Sequence, residues 1–155
     1  MPVIKNLPLS CIELSRKNLI HNIRQFRNLV KRGTKISVAI KGNAYGHGQN
    51  EVAKILEPYA DYFFVNSVEE LRLLRKTSQK PVLLLGYVAK LYLTETIKLG
   101  CILAVFSLEQ IKHISAMADI CKVVQEVHIS IDAHLGREGF LTSELPFILE
   151  EIKKL

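Results

Sequence analysis

The sequence predicts an α/β protein built on a parallel sheet, and three observations carry that expectation. Short runs dense in Val, Ile, Leu and Phe alternate along the chain with segments whose apolar residues recur at helical spacing. Several of the short runs are nearly continuous in apolar residues, as expected of strands covered by helices on both faces. Serine caps ahead of acidic or amide residues, and glycines after the last apolar turn, mark where helices begin and end.

Taken in order, residues 9–14 predict a short strand, and Ser15 caps a helix carrying Leu19, Ile20, Ile23, Phe26 and Val30, stopped by Gly33. Residues 35–40 predict a strand, and 50–60 a helix with Val52, Ile55, Leu56 and Tyr59 on one face. Tyr62–Val65 predicts a strand, and the Ser67-Val-Glu-Glu70 capping box opens a helix through Leu71 and Leu74. A strand at 81–85 leads to a helix ending at Leu99, with Gly100 as its stop. A strand at 102–106 precedes the Ser107-Leu-Glu-Gln110 box and a helix with Ile111, Ile114 and Met117. The last unit is a strand at 127–131 and a helix carrying Leu145, Ile148, Leu149 and Ile152.

This makes five β-α units after the leading helix. An open doubly wound sheet and part of a (β/α)8 barrel both fit the alternation. A complete barrel of that type takes about 250 residues and eight units, more than these 155 residues hold.

Composition narrows the function classes. The chain is 48% apolar and 23% charged, the balance of a soluble globular protein, and no apolar run approaches the roughly 20 residues of a membrane helix. The N-terminus lacks the layout of a signal peptide, and Cys11, Cys101 and Cys121 form no C-x-x-C pair. They read as buried thiols of a cytoplasmic protein. The net charge of +6 is spread over helix faces, at Arg16, Lys17, Arg24, Arg27, Lys31, Arg72, Arg75 and Lys76. It is not gathered into an aromatic-interleaved stripe, so nucleic acid is not an expected partner. No His, Cys or carboxylate spacing suggests a metal site.

The chemistry concentrates in two segments. In the first, the apolar run Ile36-Ser-Val-Ala-Ile40 ends at Lys41, and Gly42-Asn-Ala-Tyr45-Gly-His-Gly48 follows. A lysine at the carboxyl end of a buried strand has a desolvated stem, and burial favours the neutral amine that Schiff-base chemistry requires. The second is Glu126-Val-His-Ile-Ser-Ile-Asp132-Ala-His-Leu-Gly136-Arg137-Glu-Gly139-Phe140, a strand ending in Asp followed by a glycine-flanked arginine. A guanidinium stays charged and can grip a carboxylate with two parallel hydrogen bonds.

The first segment resembles the pyridoxal-phosphate lysine motif of alanine racemases nearly residue for residue, and the second resembles their Gly-Arg-x-Gly-Phe turn. The resemblance favours the barrel: residues 1–155 would be the N-terminal portion of an alanine racemase-type barrel, with later strands and a C-terminal β domain absent. It implies Lys41 as the Schiff-base lysine and proton carrier, Tyr45 as a hydroxyl on the cofactor phosphate, and Arg137 beside the cofactor's phenolic oxygen and the substrate carboxylate. The expected substrate is alanine, racemised for peptidoglycan precursors by a homodimer. A racemase of serine or of broader specificity, and a non-catalytic pyridoxal-phosphate module, are the alternative readings. The 155 residues alone are expected to be inactive, because the second acid-base group comes, in the family, from a tyrosine of the partner's C-terminal domain.

Two positions, Ser130 and His134, depart from the resemblance, while His128 fits it. Ser130 stands where many members have a lysine that braces the arginine, so Arg137 would need another anion. His134 stands where a glycine is common. His128 is expected to be a packed histidine of its strand.

Overall fold

The computed structural model describes residues 10–155. The strand expected at 9–14 starts at Leu9, outside the described residues, and residues 10–14 form no strand. Extended backbone becomes a strand only when its amides and carbonyls find a ladder.

The elements are α1 (Arg16–Leu29), β1 (Ser37–Ala39), α2 (Lys41–Tyr45), α3 (Gln49–Leu56), β2 (Tyr62–Val65), α4 (Val68–Arg75), β3 (Val82–Leu84), α5 (Lys90–Lys98), β4 (Ile102–Val105), α6 (Leu108–Cys121), β5 (Val127–Ile129) and α7 (Leu145–Ile152). A 3-10 turn, Thr142–Glu144, leads into α7. The three serine caps form as expected: Ser15, Ser67 and Ser107 each accept the amide three residues on, from Asn18, Glu70 and Gln110. Helix α1 ends earlier than predicted, because Val30 is already extended and Gly33 belongs to the turn that follows.

All five strands are parallel and stand in sequence order, β1-β2-β3-β4-β5. This order decides between the two candidate sheets. Crossovers between parallel strands are right-handed, so a sheet that never reverses its order carries every helix on one face. A doubly wound sheet needs a reversal. The sheet is therefore five units of a (β/α)8 barrel wall.

Burial follows from that arrangement. Phe63, Val65, Val82, Leu84, Leu103 and Val105 are essentially inaccessible and pack with Leu71, Leu74, Leu93, Ile111 and Ile114 of the helices. Tyr62, Phe64 and Leu83 alternate with them onto the opposite face and are only half-buried. The sequence suggested cover by helices on both faces; the structure has it on one.

Two charged side chains tie the layers together. The Asp61 carboxylate, just before β2, accepts from Arg27 of α1 at 2.5 Å and from the Ile36 amide at 2.7 Å, fixing where β1 begins. Arg75, at the end of α4, donates to the carbonyls of Leu99 (2.8 Å), Lys80 (2.9 Å), Ser78 (3.3 Å) and Gly100. It thereby satisfies the end of α5 and the approach to β3 at once.

The Arg27 guanidinium, and then the Ile36 amide, hold the Asp61 carboxyl below its ordinary 3.8. A depressed folded-state value means that the ion pair stabilises above about pH 4 and is lost as pH falls through the folded value. Both side chains are more than a third exposed, so solvent screening keeps the effect small. Asp61→Asn is expected to cost about 1 kcal/mol at neutral pH and to flatten the acid limb of stability. Urea denaturation from pH 7 to 3 reads both. Arg75→Met leaves several carbonyls without their donor and is expected to cost about 3 kcal/mol, read as a lower denaturation midpoint with an unchanged slope.

Candidate functional site

Lys41 stands at the carboxyl end of β1, as its sequence predicts. The β1–β2 ladder continues one residue beyond the strand, with the Ile40 amide donating to the Phe64 carbonyl at 3.1 Å, and Ile40 is wholly buried. Side-chain alternation puts Lys41 on the half-buried face with Ala39 and Phe64. Its Nζ lies 5.8 Å from the centre of the Phe64 ring, and among the described residues it enters no salt bridge. The lysine stem is ordered by its strand while its amine remains uncommitted.

The segment after it is not the irregular loop that its glycines suggest. Gly42, Asn43, Ala44 and Tyr45 all have φ between 53° and 58°, so α2 is a left-handed turn. It is closed by Ala44 N–H to Ile40 carbonyl at 2.8 Å and Gly46 N–H to Gly42 carbonyl at 3.1 Å. Three of those residues carry a β-carbon, and each pays about 1–2 kcal/mol for this conformation. The turn buries Ala44 and leaves Tyr45 65% exposed, so the tyrosine hydroxyl faces away from the core.

Contacts from outside hold this turn. Glu70 of α4 accepts the Gly42 amide on Oε1 at 2.6 Å and the Asn66 amide on Oε2 at 2.7 Å. Gln49, 1% exposed, donates its side-chain amide to the Glu70 carbonyl at 2.7 Å, and its backbone N–H to Asn43 Oδ1 at 2.9 Å. His47 turns back on the Ala44 carbonyl at 2.9 Å, a local contact that shapes the loop. Neither Glu70 nor Gln49 stood out in the sequence as a site residue. The capping box gave Glu70 a local role, while its second partner lies 28 residues upstream.

The second segment also lies at the carboxyl edge. After β5 the chain folds back so that Phe140 N–H reaches the Ser130 carbonyl and Asp132 N–H the Phe140 carbonyl, both at 2.9 Å. Asp132 Oδ1 gathers the amides of Leu135 (2.8 Å) and Gly136 (3.1 Å). Gly139 is required, because a β-carbon there would stand 2.7 Å from the Asp132 nitrogen at a φ of 112°. His134 has a φ of 66°, so it adopts the left-handed conformation that a glycine would take more cheaply.

Arg137 is exposed and pairs with its neighbour Glu138 at 2.7 Å. Glu138 is thus the carboxylate that meets it, beside a Ser130 whose backbone is occupied by the ladder to Val105. No hydrogen bond or ion pair joins Arg137 to Lys41 or Tyr45 among the described residues; β1 and β5 are the outer strands of the sheet, with three between them. His128 is not packed: it is exposed on the outer strand β5, 4.0 Å from Glu126. Cys11 is likewise exposed, whereas burial pushes the Cys101 thiol up to about 12, which makes it inert.

The arrangement offers an uncommitted amine, a hydroxyl four residues on and a guanidinium along one edge of a parallel sheet, where ligands of such sheets bind. A family model described as "Alanine racemase, N-terminal domain" matches residues 14–155. Alanine racemase 1 of Caldanaerobacter subterraneus subsp. tengcongensis is 35% identical over 136 residues, 86% of this chain and 35% of that protein. The structure of an alanine racemase from Clostridium difficile 630 superposes with a TM-score of 0.82 at 35% identity, covering 88% of this chain and 37% of that one. A histidine racemase from Leuconostoc mesenteroides subsp. sake, 24% identical with a TM-score of 0.80 over 91% of this chain and 38% of its own, shares the fold. The chain spans little more than a third of the length of the curated relatives it matches. The chain thus belongs to the alanine racemase family, through that family's N-terminal domain.

Proposed function

We propose that the protein carrying this chain is a pyridoxal-phosphate-dependent racemase of alanine, in which Lys41 holds the cofactor and moves a proton at the substrate Cα. The observation that supports this reading is the placement of Lys41: an amine without a salt-bridge partner among the described residues, at the carboxyl end of the half-buried β1, between the buried Ile40 and a Gly42 whose amide is clamped. These features fit the group. An amine that must join a carbonyl and later take up a proton needs freedom from carboxylates and a fixed direction of approach.

When bound, pyridoxal phosphate draws electrons from Cα and makes its proton removable. The chain's own residues divide the remaining tasks. Lys41 Nζ accepts the proton on one face and returns it. Tyr45, with its exposed hydroxyl, would donate to the phosphate. Arg137 would bind the substrate carboxylate, exchanging Glu138 for it. Racemisation also needs a group on the opposite face of Cα. We assign it to a region outside residues 1–155, which we read as the N-terminal portion of the barrel in a homodimeric, cytoplasmic enzyme supplying D-alanine for peptidoglycan. The local pairing of Arg137 with Glu138 favours, as a second reading, a module that binds the cofactor without turnover.

Reduction with borohydride in the presence of pyridoxal phosphate is expected to place the label on Lys41, found by peptide mapping. Label scattered over surface lysines would overturn the assignment. In the full-length protein, Lys41→Ala is expected to lower alanine racemisation by roughly a thousandfold or more. Residues 1–155 alone are expected to give no measurable turnover; substantial turnover would remove the need for an external group. Labelled Lys41 in a full-length protein that racemises no amino acid would favour the binding module.

A further inference from the structure

We propose that Glu70 is a positioning residue for Lys41, clamping the left-handed turn that follows it to the loop after β2. The proposal rests on the reading of Lys41 as the cofactor lysine, and its physical basis is the turn itself. Successive left-handed residues with β-carbons persist only where the surroundings over-determine them. The turn's own hydrogen bonds run from Ala44 to Ile40 and from Gly46 to Gly42. The Gly42 amide, the one directly after Lys41, goes instead to Glu70 Oε1 at 2.6 Å. The other carboxylate oxygen holds the Asn66 amide at 2.7 Å, so one side chain spans the loops after β1 and β2.

The chain contains its own control. Ser107-Leu-Glu-Gln110 is the same capping box two strands further along the sheet, after β4, and there its last residue is an amide. Gln110 Oε1 accepts the Phe106 amide at 3.0 Å, as Glu70 accepts that of Asn66, but its Nε2 donates to the Ala104 carbonyl at 3.2 Å. At that elbow the two partners are a donor and an acceptor, which an amide satisfies. At Glu70 both partners are N–H donors that meet different oxygens, an arrangement a carboxylate satisfies and in which an amide would turn its NH2 toward one of the donors. The acidic residue is therefore explained by the lysine turn and not by helix capping, which glutamine performs equally well at the other elbow. Gln49 adds a second tie from the Glu70 carbonyl to Asn43, within the turn.

The test compares Glu70→Gln, Glu70→Ala and Gln110→Ala in the full-length protein, with two readouts. The first is amide hydrogen exchange at Gly42 without cofactor; the second is the rate at which pyridoxal phosphate and borohydride label Lys41. Loss of a charge-assisted hydrogen bond should raise Gly42 exchange by about tenfold in Glu70→Ala and slow labelling by a similar factor. Glu70→Gln, with one acceptor for two donors, should fall between, and covers the case in which the alanine variant does not fold. Gln110→Ala should lower stability while leaving both readouts unchanged. Gly42 exchange that is unchanged in both Glu70 variants, or moved as far by Gln110→Ala, overturns the clamp. If wild-type Lys41 takes no label while Gly42 exchange still follows Glu70, the cofactor reading fails and the clamp stands.

Discussion

The parallel ladder between β1 and β2 is the contact on which the candidate site depends. It pairs Ser37, Val38 and Ala39 with Tyr62, Phe63 and Phe64, and continues through Ile40, which is completely buried. A one-residue slip would turn Lys41 to the helix-covered face, where Phe63 and Val65 are packed and a lysine amine would have no compensating partner. Asp61 opposes such a slip from the other end, accepting from Ile36 and Arg27 where the two strands begin. Register, burial and the direction of the amine are thus one constraint. Because the remaining strands follow in parallel and in order, the loops carrying Asn66, Gly86 and Arg137 emerge at the same edge. Gly86 even meets the Asn66 carbonyl so closely that a β-carbon would stand 2.1 Å from it, so the loops after β2 and β3 are packed together.

The left-handed turn converts that rigid strand end into a fixed loop. Its intrinsic cost, about 1–2 kcal/mol for each of Asn43, Ala44 and Tyr45, is offset by the buried Ala44 methyl, the two closing hydrogen bonds and the ties to Gln49 and Glu70. An ordinary loop would have been cheaper for the fold. What the strained version adds is that Lys41 has no soft torsion on either side: a ladder holds the residue before it and a carboxylate the amide after it. A lysine side chain is long and flexible, so limiting the backbone beneath it is the means the chain has of directing the amine.

How far this could be read from the sequence depends on whether the information was local. The alternation of strands and helices, the three serine caps and the Tyr62–Val65 strand all rest on neighbours within a few residues, and they are found where expected. The position of Lys41 follows from the same local pattern. Non-local features were hidden. The second role of Glu70 needs a partner 28 residues away, and the handedness of α2 is hidden because Gly42 and Asn43 tolerate a positive φ but Ala44 and Tyr45, which share it, ordinarily do not. His128 looked like a core residue from its apolar neighbours, but it alternates away from the helix-packed Val127 and Ile129 onto the opposite face of the sheet, where it is exposed. Cover on both sheet faces was inferred from apolar runs that also suit a barrel wall, whose second face lines an interior.

The two parts of the candidate site are built to different tolerances, and energetics explain why this suits the roles proposed for them. Lys41 follows the wholly buried Ile40 and precedes a turn tied to Glu70 and to the buried Gln49, so several contacts must give before its backbone moves. Arg137 sits on an exposed turn whose backbone is firm, through Asp132 and Gly139, while its guanidinium is held only by Glu138. An exposed pair of this kind is worth about 1 kcal/mol at most. A substrate carboxylate bound there as proposed, engaging the guanidinium with two parallel bonds, would gain more than that exchange costs. Glu138 therefore holds Arg137 loosely without competing effectively for it.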